Sequence, residues 1–298
     1  MCILKKVLVL GGTRFFGKKL VKLLLENGHD VTIATRGKTV DSFGDKVNRL
    51  LIDRENNQSL KAAAGETQWD LVYDNICYSP KEAVEACEIF SGKVKRYILT
   101  STLSVYEFGA EKRQEEDFNP YSYPIKIGSK SDFSYGEGKR LAEAVFFQKA
   151  NFPVSAVRFP IVLGLDDYTK RLHFHIEQVK NGKPLGIPNV NARLSFINSD
   201  EAASFLYWLG FQQMEGPINA CSKGELSLRA ILSLIEEVVG KEAIVEQQTA
   251  DEHRSPFGIL DDWYMDTKKA EEAGYVFHEL KDWFPALVRE ISNKKETL

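Results

Sequence analysis

Tyr135 and Lys139 lie four residues apart in the chain, separated by Gly-Glu-Gly. If a helix continues over residues 140–147, this spacing places both side chains on one helix face. A free phenol is a poor acid or base at neutral pH, but a nearby ammonium favours the phenolate, which can exchange a proton with a substrate hydroxyl or carbonyl. Tyr264 and Lys268 have the same spacing. The elements around each pair must therefore decide which pair does chemistry.

Thr102 ends a short apolar stretch, residues 97–102, that predicts a β-strand upstream of Tyr135. Ligand sites in open α/β sheets lie at the carboxyl ends of the strands. The hydroxyl of Thr102 could therefore reach the same substrate oxygen as the phenol of Tyr135.

The first predicted strand, residues 7–10, runs into a glycine-rich turn and then into an amphipathic helix, and a second predicted strand covers 31–35. Glycine allows a very tight turn and a close approach of the backbone to phosphates, and the helix N-terminus adds the positive end of its dipole. This order of elements predicts that the pyrophosphate of a dinucleotide binds at the turn. The candidate residues of the turn are Gly11, Gly12, Thr13, Arg14, Phe15, Phe16 and Gly17.

Strand-like and helix-like segments alternate through the first half of the chain, which is typical of a parallel sheet covered by helices on both faces. We predict a doubly wound α/β Rossmann domain of about seven strands over residues 1–164, with a returning segment near 191–215. A smaller C-terminal substrate-binding lobe is predicted over 165–298, where the pattern loosens and loops are expected at 181–184 and 186–188. Further predicted strands are 47–53, 70–76 and 154–159.

The composition favours a soluble protein that binds a small molecule. The chain has 298 residues, 43% of them hydrophobic, and a net charge of −3, which argues against a generally nucleic-acid-binding surface. No apolar run approaches the ~20 residues that span a bilayer, and no segment resembles a cleavable signal. Four cysteines without metal-type spacing predict a cytoplasmic protein, and His173 and His175 are not expected to bind a metal.

Several motifs, in order, carry a family resemblance. The turn is similar to the pattern Thr-Gly-x-x-Gly-x-x-Gly, residues 100–106 to Ser-Ser-x-x-Val-Tyr, and Tyr135 with Lys139 to Tyr-x-x-x-Lys. Residues 158–164 are similar to Arg-Pro-x-x-Val-x-Gly, and residues 193–200 to Arg-x-Phe-Ile-x-x-Asp. Over nearly all of its length the chain therefore resembles the extended short-chain dehydrogenase/reductase superfamily, in its NAD(P)-dependent epimerase/dehydratase group.

The resemblance implies roles for individual residues. Tyr135 would be the general acid and base, Lys139 would hold the nicotinamide ribose and favour the phenolate, and Thr102 would orient the substrate oxygen. Tyr135 and Lys139 thus count among the cofactor-binding residues as well. The resemblance also implies a homodimer.

Further roles follow from the same resemblance. It places Pro160 and Val162 beside the nicotinamide and Asp53 at the adenine amino group, although Asp53 could equally be an ordinary turn residue. Arg193 and Arg254 fall where arginines would hold a substrate diphosphate, and Arg193 could equally be a salt-bridge residue.

Two departures from the family pattern favour NADP over NAD. Arg14 replaces the middle glycine, and Thr35, followed by Arg36 and Lys38, replaces the acidic residue at the end of the second strand. Basic side chains can neutralise a 2′-phosphate, whereas a carboxylate would accept hydrogen bonds from the 2′-hydroxyl of NAD. Arg36 and Lys38 could also be solvated loop charges.

Leu103 and Ser104 follow Thr102, where sugar-nucleotide dehydratases of the family carry an acidic pair, so elimination is not expected. Hydride transfer at a carbonyl or secondary alcohol, by a reductase or an epimerase of a nucleotide sugar or another small molecule, is the predicted activity. Residues 72–75 and the turn also resemble the chloroplast stem-loop-binding branch, which associates with RNA. An RNA-binding protein and a non-catalytic NADP sensor are therefore the alternatives, both disfavoured by the complete set of predicted catalytic residues.

Overall fold

The computed structural model describes residues 4–54, 56–64 and 67–294. The strands in this part of the chain are β1 (Lys6–Leu10), β2 (Asp30–Thr35), β3 (Asn48–Leu51), β4 (Leu71–Asp74), β5 (Tyr97–Thr102), β6 (Val154–Phe159), β7 (Ile161–Leu163), β8 (Pro184–Gly186), β9 (Arg193–Leu194), β10 (Phe196–Asn198), β11 (Gly216–Asn219), β12 (Leu226–Ser227) and β13 (Ile244–Glu246).

The helices of the described residues connect and cover these strands. They are α1 (Phe15–Glu26), α2 (Asn57–Ala64), α3 (Pro80–Phe90), α4 (Tyr135–Lys149), α5 (Arg171–Lys180), α6 (Ser199–Gly210), α7 (Leu228–Val239), α8 (Lys268–Glu272) and α9 (Leu280–Asn293). None of them is long and apolar enough to cross a membrane.

The central sheet has seven strands in the order β11-β6-β5-β4-β1-β2-β3, and every pairing in it is parallel. This confirms the predicted α/β fold with its doubly wound parallel sheet. From β1 the chain builds outward to β2 and β3, and then returns to place β4 on the other side of β1. The order therefore reverses between β1 and β4, and a crevice opens at the carboxyl ends of these two strands.

Apolar side chains cover the sheet on both faces. Helices α1 and α6 pack on one face and α3 and α4 on the other, each with its own apolar cluster. All residues of β5 and β6 are buried, as expected for central parallel strands covered by helices. A third cluster joins α5, α7 and α9 in the C-terminal half.

Some element boundaries differ from the sequence-based predictions. The strand predicted at 47–53 is only β3, an edge strand with mostly exposed side chains, so Asp53 lies in the loop that follows it. The loop predicted around 184 contains β8, which pairs with β13. Beyond the returning segment predicted near 191–215, β11 joins the sheet beside β6.

Candidate functional site

The glycine turn between β1 and α1 has a strained backbone. Gly11 and Gly12 have φ angles of 97° and 93°, which favour glycine, and a Cβ at Gly12 would lie 3.0 Å from the side chains of Val9 and Val21. Phe15, which is buried, also has a positive φ, 50°, which is uncommon for a bulky residue. Arg14 at the N-cap of α1 makes no side-chain capping bond within the described chain. The N–H groups of the first turn of α1 are thus left for a ligand.

A cleft of about 520 Å³ opens over this turn at the switch point of the sheet. All seven predicted turn residues line it, as do the predicted cofactor residues Arg36, Lys38 and Asp53. The remaining wall comes from several loops at the carboxyl ends of the strands. It comprises Thr35, Thr39, Ile52, Arg54, Asn75, Ile76, Tyr78, Glu82, Lys130 and Tyr168.

Basic side chains collect where β2 ends. Arg14, Arg36 and Lys38 all line the cleft, and Nε of Arg14 donates to Oγ1 of Thr39 at 3.1 Å. The hydroxyl of Thr35, at the end of β2, accepts the N–H of Gly37 at 3.2 Å and so helps to shape the turn that follows this strand. This end of the cleft suits a phosphate group.

Arg54 is a cleft residue that the sequence analysis missed. Its guanidinium is 7% exposed and donates to Asp74 at 2.6 Å, and the buried Asp74 also accepts the hydroxyl of Tyr97 at 2.6 Å. Burial lowers the pKa of Arg54, but Asp74 together with the neighbouring acidic groups of Tyr97, Cys77 and Glu82 raises it above its ordinary value. Nε and Nη1 of Arg54 have no partner among the described residues. A charged residue directly after a predicted strand was the available signal.

Asn75 offers a second unsatisfied donor at the carboxyl end of β4. Its Oδ1 accepts the hydroxyl of Thr100 at 2.7 Å, while its Nδ2 is buried and lacks a partner in the described part of the chain. An ideal Cβ at Gly17 would lie 3.3 Å from this Nδ2. Gly17 therefore leaves room for the amide of Asn75 beside the turn.

Helix α4 begins at Tyr135 and is placed by two glycines. A Cβ at Gly136 would lie 2.5 Å from the backbone oxygen of Ser104, and a Cβ at Gly138 would lie 2.6 Å from that of Tyr78. The first turn of α4 thus packs directly on the backbone that follows β5 and β4. The hydroxyl of Thr102 accepts the N–H of Ser104 at 3.1 Å in the same region.

The predicted catalytic lysine is buried. Lys139 is 2% exposed, and its ammonium donates to the backbone oxygens of Cys77 at 2.6 Å and Thr100 at 2.8 Å. Its nitrogen also lies 4.7 Å from the ring centroid of Tyr78. Tyr135, in contrast, is 53% exposed.

A buried network fixes the rotation of α4. Glu143, one helical turn after Lys139, accepts from Nη2 of Arg158 at 2.6 Å and from the hydroxyl of Ser101. Arg158 is fully buried and also donates to the hydroxyl of Tyr106 at 2.7 Å. These contacts tie α4 to β5 and β6 and thereby turn Lys139 toward the sheet edge. The motif at 158–164 contained Arg158, but nothing in the sequence paired it with Glu143.

The structure does not bring every predicted residue into the cleft. Thr102, Tyr135 and Lys139 do not line it, and neither do Pro160 and Val162 on the β6 to β7 connection. The cleft and the predicted catalytic residues are adjacent halves of one region, with Tyr78 between them.

The two predicted substrate arginines make ion pairs of their own. Nε and Nη2 of Arg193 donate to one oxygen of Asp262 at 2.9 and 2.6 Å, and its guanidinium lies 4.6 Å from the ring of Tyr264. Arg254 is largely exposed and pairs with Asp251 at 3.2 Å.

His175 is fully buried, bonds to Ser255 and stacks on Phe257, so it supports the C-terminal half. Cys77, Cys87 and Cys221 are buried free thiols, and Cys2 lies outside the described residues. Within the described ranges no three His, Cys, Asp or Glu side chains are grouped so that they could hold a metal ion.

Known proteins resemble this chain in sequence. Residues 7–78 match the NAD dependent epimerase/dehydratase family. The chain is 28% identical over 69% of its length to the chloroplast stem-loop binding protein of 41 kDa b of Arabidopsis thaliana, and 24% identical over 83% to UDP-glucuronic acid decarboxylase 1 of the same plant. It spans 55% and 62%, respectively, of the length of these relatives.

Solved structures share the fold over almost the whole chain. The UDP-glucose 4-epimerase of Thermus thermophilus, in complex with NAD, has a TM-score of 0.74 at 18% identity and covers 97% of this chain and 100% of its own. The UDP-glucuronic acid 4-epimerase of Bacillus cereus, with UDP-glucuronic acid and NAD, has a TM-score of 0.72 at 20% identity and covers 96% and 98%. The match over residues 7–78 confirms the predicted resemblance to the NAD dependent epimerase/dehydratase family, and the solved structures confirm the predicted fold.

Proposed function

We propose that this protein is an NADP-dependent oxidoreductase or epimerase that transfers hydride at a carbonyl or secondary alcohol. One observation carries the proposal. The buried ammonium of Lys139, held by the backbone oxygens of Cys77 and Thr100, lies one helical turn from Tyr135 at the same sheet edge as a cleft large enough for a nucleotide. A buried charge costs free energy and is typical of a functional site.

The cleft fits the adenosine half of a dinucleotide. The glycine turn and the uncapped N-terminus of α1 would bind the pyrophosphate, and Arg14, Arg36 and Lys38 would bind a 2′-phosphate. Asp53 and Arg54 would contact the adenine. When bound, the nicotinamide supplies the hydride acceptor or donor.

Side chains of this protein would then transfer the proton and orient the substrate. Tyr135 would exchange a proton with the substrate oxygen, and Thr102 would orient that oxygen with its hydroxyl. Lys139 would place a positive charge beside the phenol and donate to a ribose hydroxyl. Leu103, which is 2% exposed, cannot supply a proton, and this argues against an elimination step.

A nucleotide sugar is the proposed substrate class. Support comes from the solved relatives, which are named for UDP-sugars, and from two arginines of the C-terminal half, Arg193 and Arg254, whose side chains are exposed. Arg254 is exposed and would contact the diphosphate directly, whereas Arg193 would have to share its guanidinium with Asp262. We also propose that the protein is a homodimer located in the cytoplasm.

Tyr135→Phe tests the proposed chemistry. We expect hydride transfer from UDP-glucose or UDP-glucuronic acid to NADP⁺, followed in a single turnover by the absorbance of the NADPH that forms, to fall about 10²-fold or more, because a positioned acid or base contributes about 10² to 10⁴. Tyr121→Phe, at an exposed tyrosine that packs on Phe147, is the matched control and should retain the wild-type rate. A wild-type rate in Tyr135→Phe would refute the role of the phenol.

A further inference from the structure

Tyr78 lies between the two halves of the site. It follows β4, lines the end of the cleft nearest α4, and its ring centroid lies 6.4 Å from that of Tyr135. The ammonium of Lys139 lies 4.7 Å from the centroid of the same ring. Any ligand that extends from the cleft toward Lys139 must therefore meet this ring.

The Tyr78 ring covers the one donor that Lys139 has left. An ammonium has three N–H groups, and two of them are used by the oxygens of Cys77 and Thr100. The ring of Tyr78 packs against the third side, and Lys139 is 2% exposed. In this arrangement Lys139 cannot donate to a hydroxyl of a bound ligand.

Apart from its contact with Lys139, the ring is held by weak contacts, whereas the backbone beneath it is fixed. The ammonium of the exposed Lys130 lies 4.8 Å from the ring centroid, and the Tyr78 hydroxyl donates to the oxygen of Asn75 at a long 3.5 Å. The Tyr78 N–H, however, donates to Glu82 at 2.6 Å, and its backbone oxygen packs against Gly138. A change at this position is thus confined to rotation of the side chain.

We propose that Tyr78 is a gate. In the free protein its ring covers Lys139, and the ring rotates away when the nicotinamide ribose of a dinucleotide enters. The inference rests on the proposed function, because it takes a dinucleotide as the ligand. The apparent affinity of a ligand that reaches Lys139 then depends on the fraction of protein in which the Tyr78 ring is rotated away. The affinity of a ligand that fills only the adenosine half of the cleft does not.

Two ligands separate these cases. We would titrate wild type, Tyr78→Phe and Tyr78→Ala with NADPH, and with adenosine 2′,5′-bisphosphate, which carries the adenosine half only. Tyr78→Ala should bind NADPH at least about fivefold more tightly, while its affinity for the bisphosphate should stay within about twofold of wild type. Tyr78→Phe keeps the ring and should match wild type with both ligands. Unchanged or weaker NADPH binding by Tyr78→Ala would overturn the gate.

A chemical measurement tests the gate without any nucleotide. Labelling of Lys139 by a small amine-reactive reagent, read by mass spectrometry, should be at least about tenfold faster in Tyr78→Ala than in wild type or Tyr78→Phe. Equal labelling in all three would overturn the gate. Tyr78→Leu, which keeps an apolar side chain, replaces Tyr78→Ala if the latter does not fold.

Lys130 provides a milder perturbation. Lys130→Ala removes one of the two ammonium contacts of the ring and should increase labelling of Lys139, whereas Lys126→Ala, at another exposed lysine, should not. No increase with Lys130→Ala would contradict the assigned closed state. If wild type binds neither NADPH nor the bisphosphate, the proposed function fails, while the labelling experiment still decides whether the ring covers Lys139.

Discussion

At the scale of a residue, Arg54 is a buried charge at the cleft whose hydrogen-bond donors are only partly satisfied by the protein. Asp74 satisfies one nitrogen of the guanidinium, and two nitrogens, Nε and Nη1, remain without a partner in the described chain. A buried unsatisfied donor costs about 1–3 kcal/mol, and a ligand that accepts from it recovers part of that cost. Arg54 is therefore expected to contribute to the affinity for the adenosine half.

Arg54→Lys is the residue-scale test. Lysine keeps the charge beside Asp74 but loses the extra N–H groups, so we expect binding of adenosine 2′,5′-bisphosphate to weaken about tenfold by calorimetry. Arg96→Lys is the matched control, since Arg96 is also buried with an unpartnered Nε but lies at the start of β5, away from the cleft. An equal loss of affinity in the two variants would show a general effect on the fold and would contradict a direct role of Arg54 in binding.

At the scale of elements, the two glycines in the first turn of α4 have a steric purpose. Replacing glycine by alanine inside a helix normally stabilises it by about 1 kcal/mol. At Gly138 the added Cβ would lie 2.6 Å from the oxygen of Tyr78, which belongs to fixed backbone. Helix α4 can approach the sheet edge only because Gly138 lacks a side chain.

Gly138→Ala should therefore act opposite to the helix propensity. We expect the free energy of unfolding, measured with urea, to fall by about 1–3 kcal/mol, the usual cost of inserting a methyl group into a packed site. Lys149→Ala, at an exposed position at the end of the same helix, serves for comparison of the helix itself. A stabilised Gly138→Ala would contradict the observed packing.

How much the sequence predicts differs between local and long-range features. The turn at Gly11 to Gly17 and the alternation of strands and helices follow from local patterns, and the seven turn residues line one cleft. The cover of Lys139 by Tyr78 and the pairing of Arg158 with Glu143 join segments whose approach depends on the packed sheet. Strand β8 was missed for the same reason, since β13, its strand partner in the described part of the chain, lies about 60 residues further along the chain.

On the scale of the whole molecule, stability depends on the apolar C-terminal cluster around His175. This side chain is fully buried, its Nδ1–H donates to the backbone oxygen of Arg171, and its Nε2 accepts the hydroxyl of Ser255 in the neutral ring. Burial lowers its pKa to about 4. Since the folded pKa lies below the unfolded value of 6.5, His175 contributes stability above pH 6.5 that is lost as the pH falls toward 4. The full contribution is about 3 kcal/mol.

His175→Gln tests this dependence, because glutamine can still bond to Ser255 but cannot titrate. The free energy of unfolding, measured with urea at pH 7, 5.5 and 4, should decline less steeply for the variant. Between pH 7 and pH 4 the wild-type protein should lose about 3 kcal/mol more than the variant does. Glu115 and Glu201, whose pKa values are raised by burial, act in both proteins alike and cancel in the comparison. Parallel curves for the two proteins would contradict the role of His175.

The most direct test of the account is a fluorescence titration of the wild-type protein with NADPH and NADH, repeated with Arg14→Ala. Arg14 lines the phosphate end of the cleft, whereas the exposed Lys22 of α1 does not and provides the control as Lys22→Ala. We predict binding of NADPH at least about tenfold tighter than that of NADH, and loss of this preference in Arg14→Ala alone. Failure of the wild-type protein to bind either nucleotide would contradict the assignment of the cleft as a dinucleotide site.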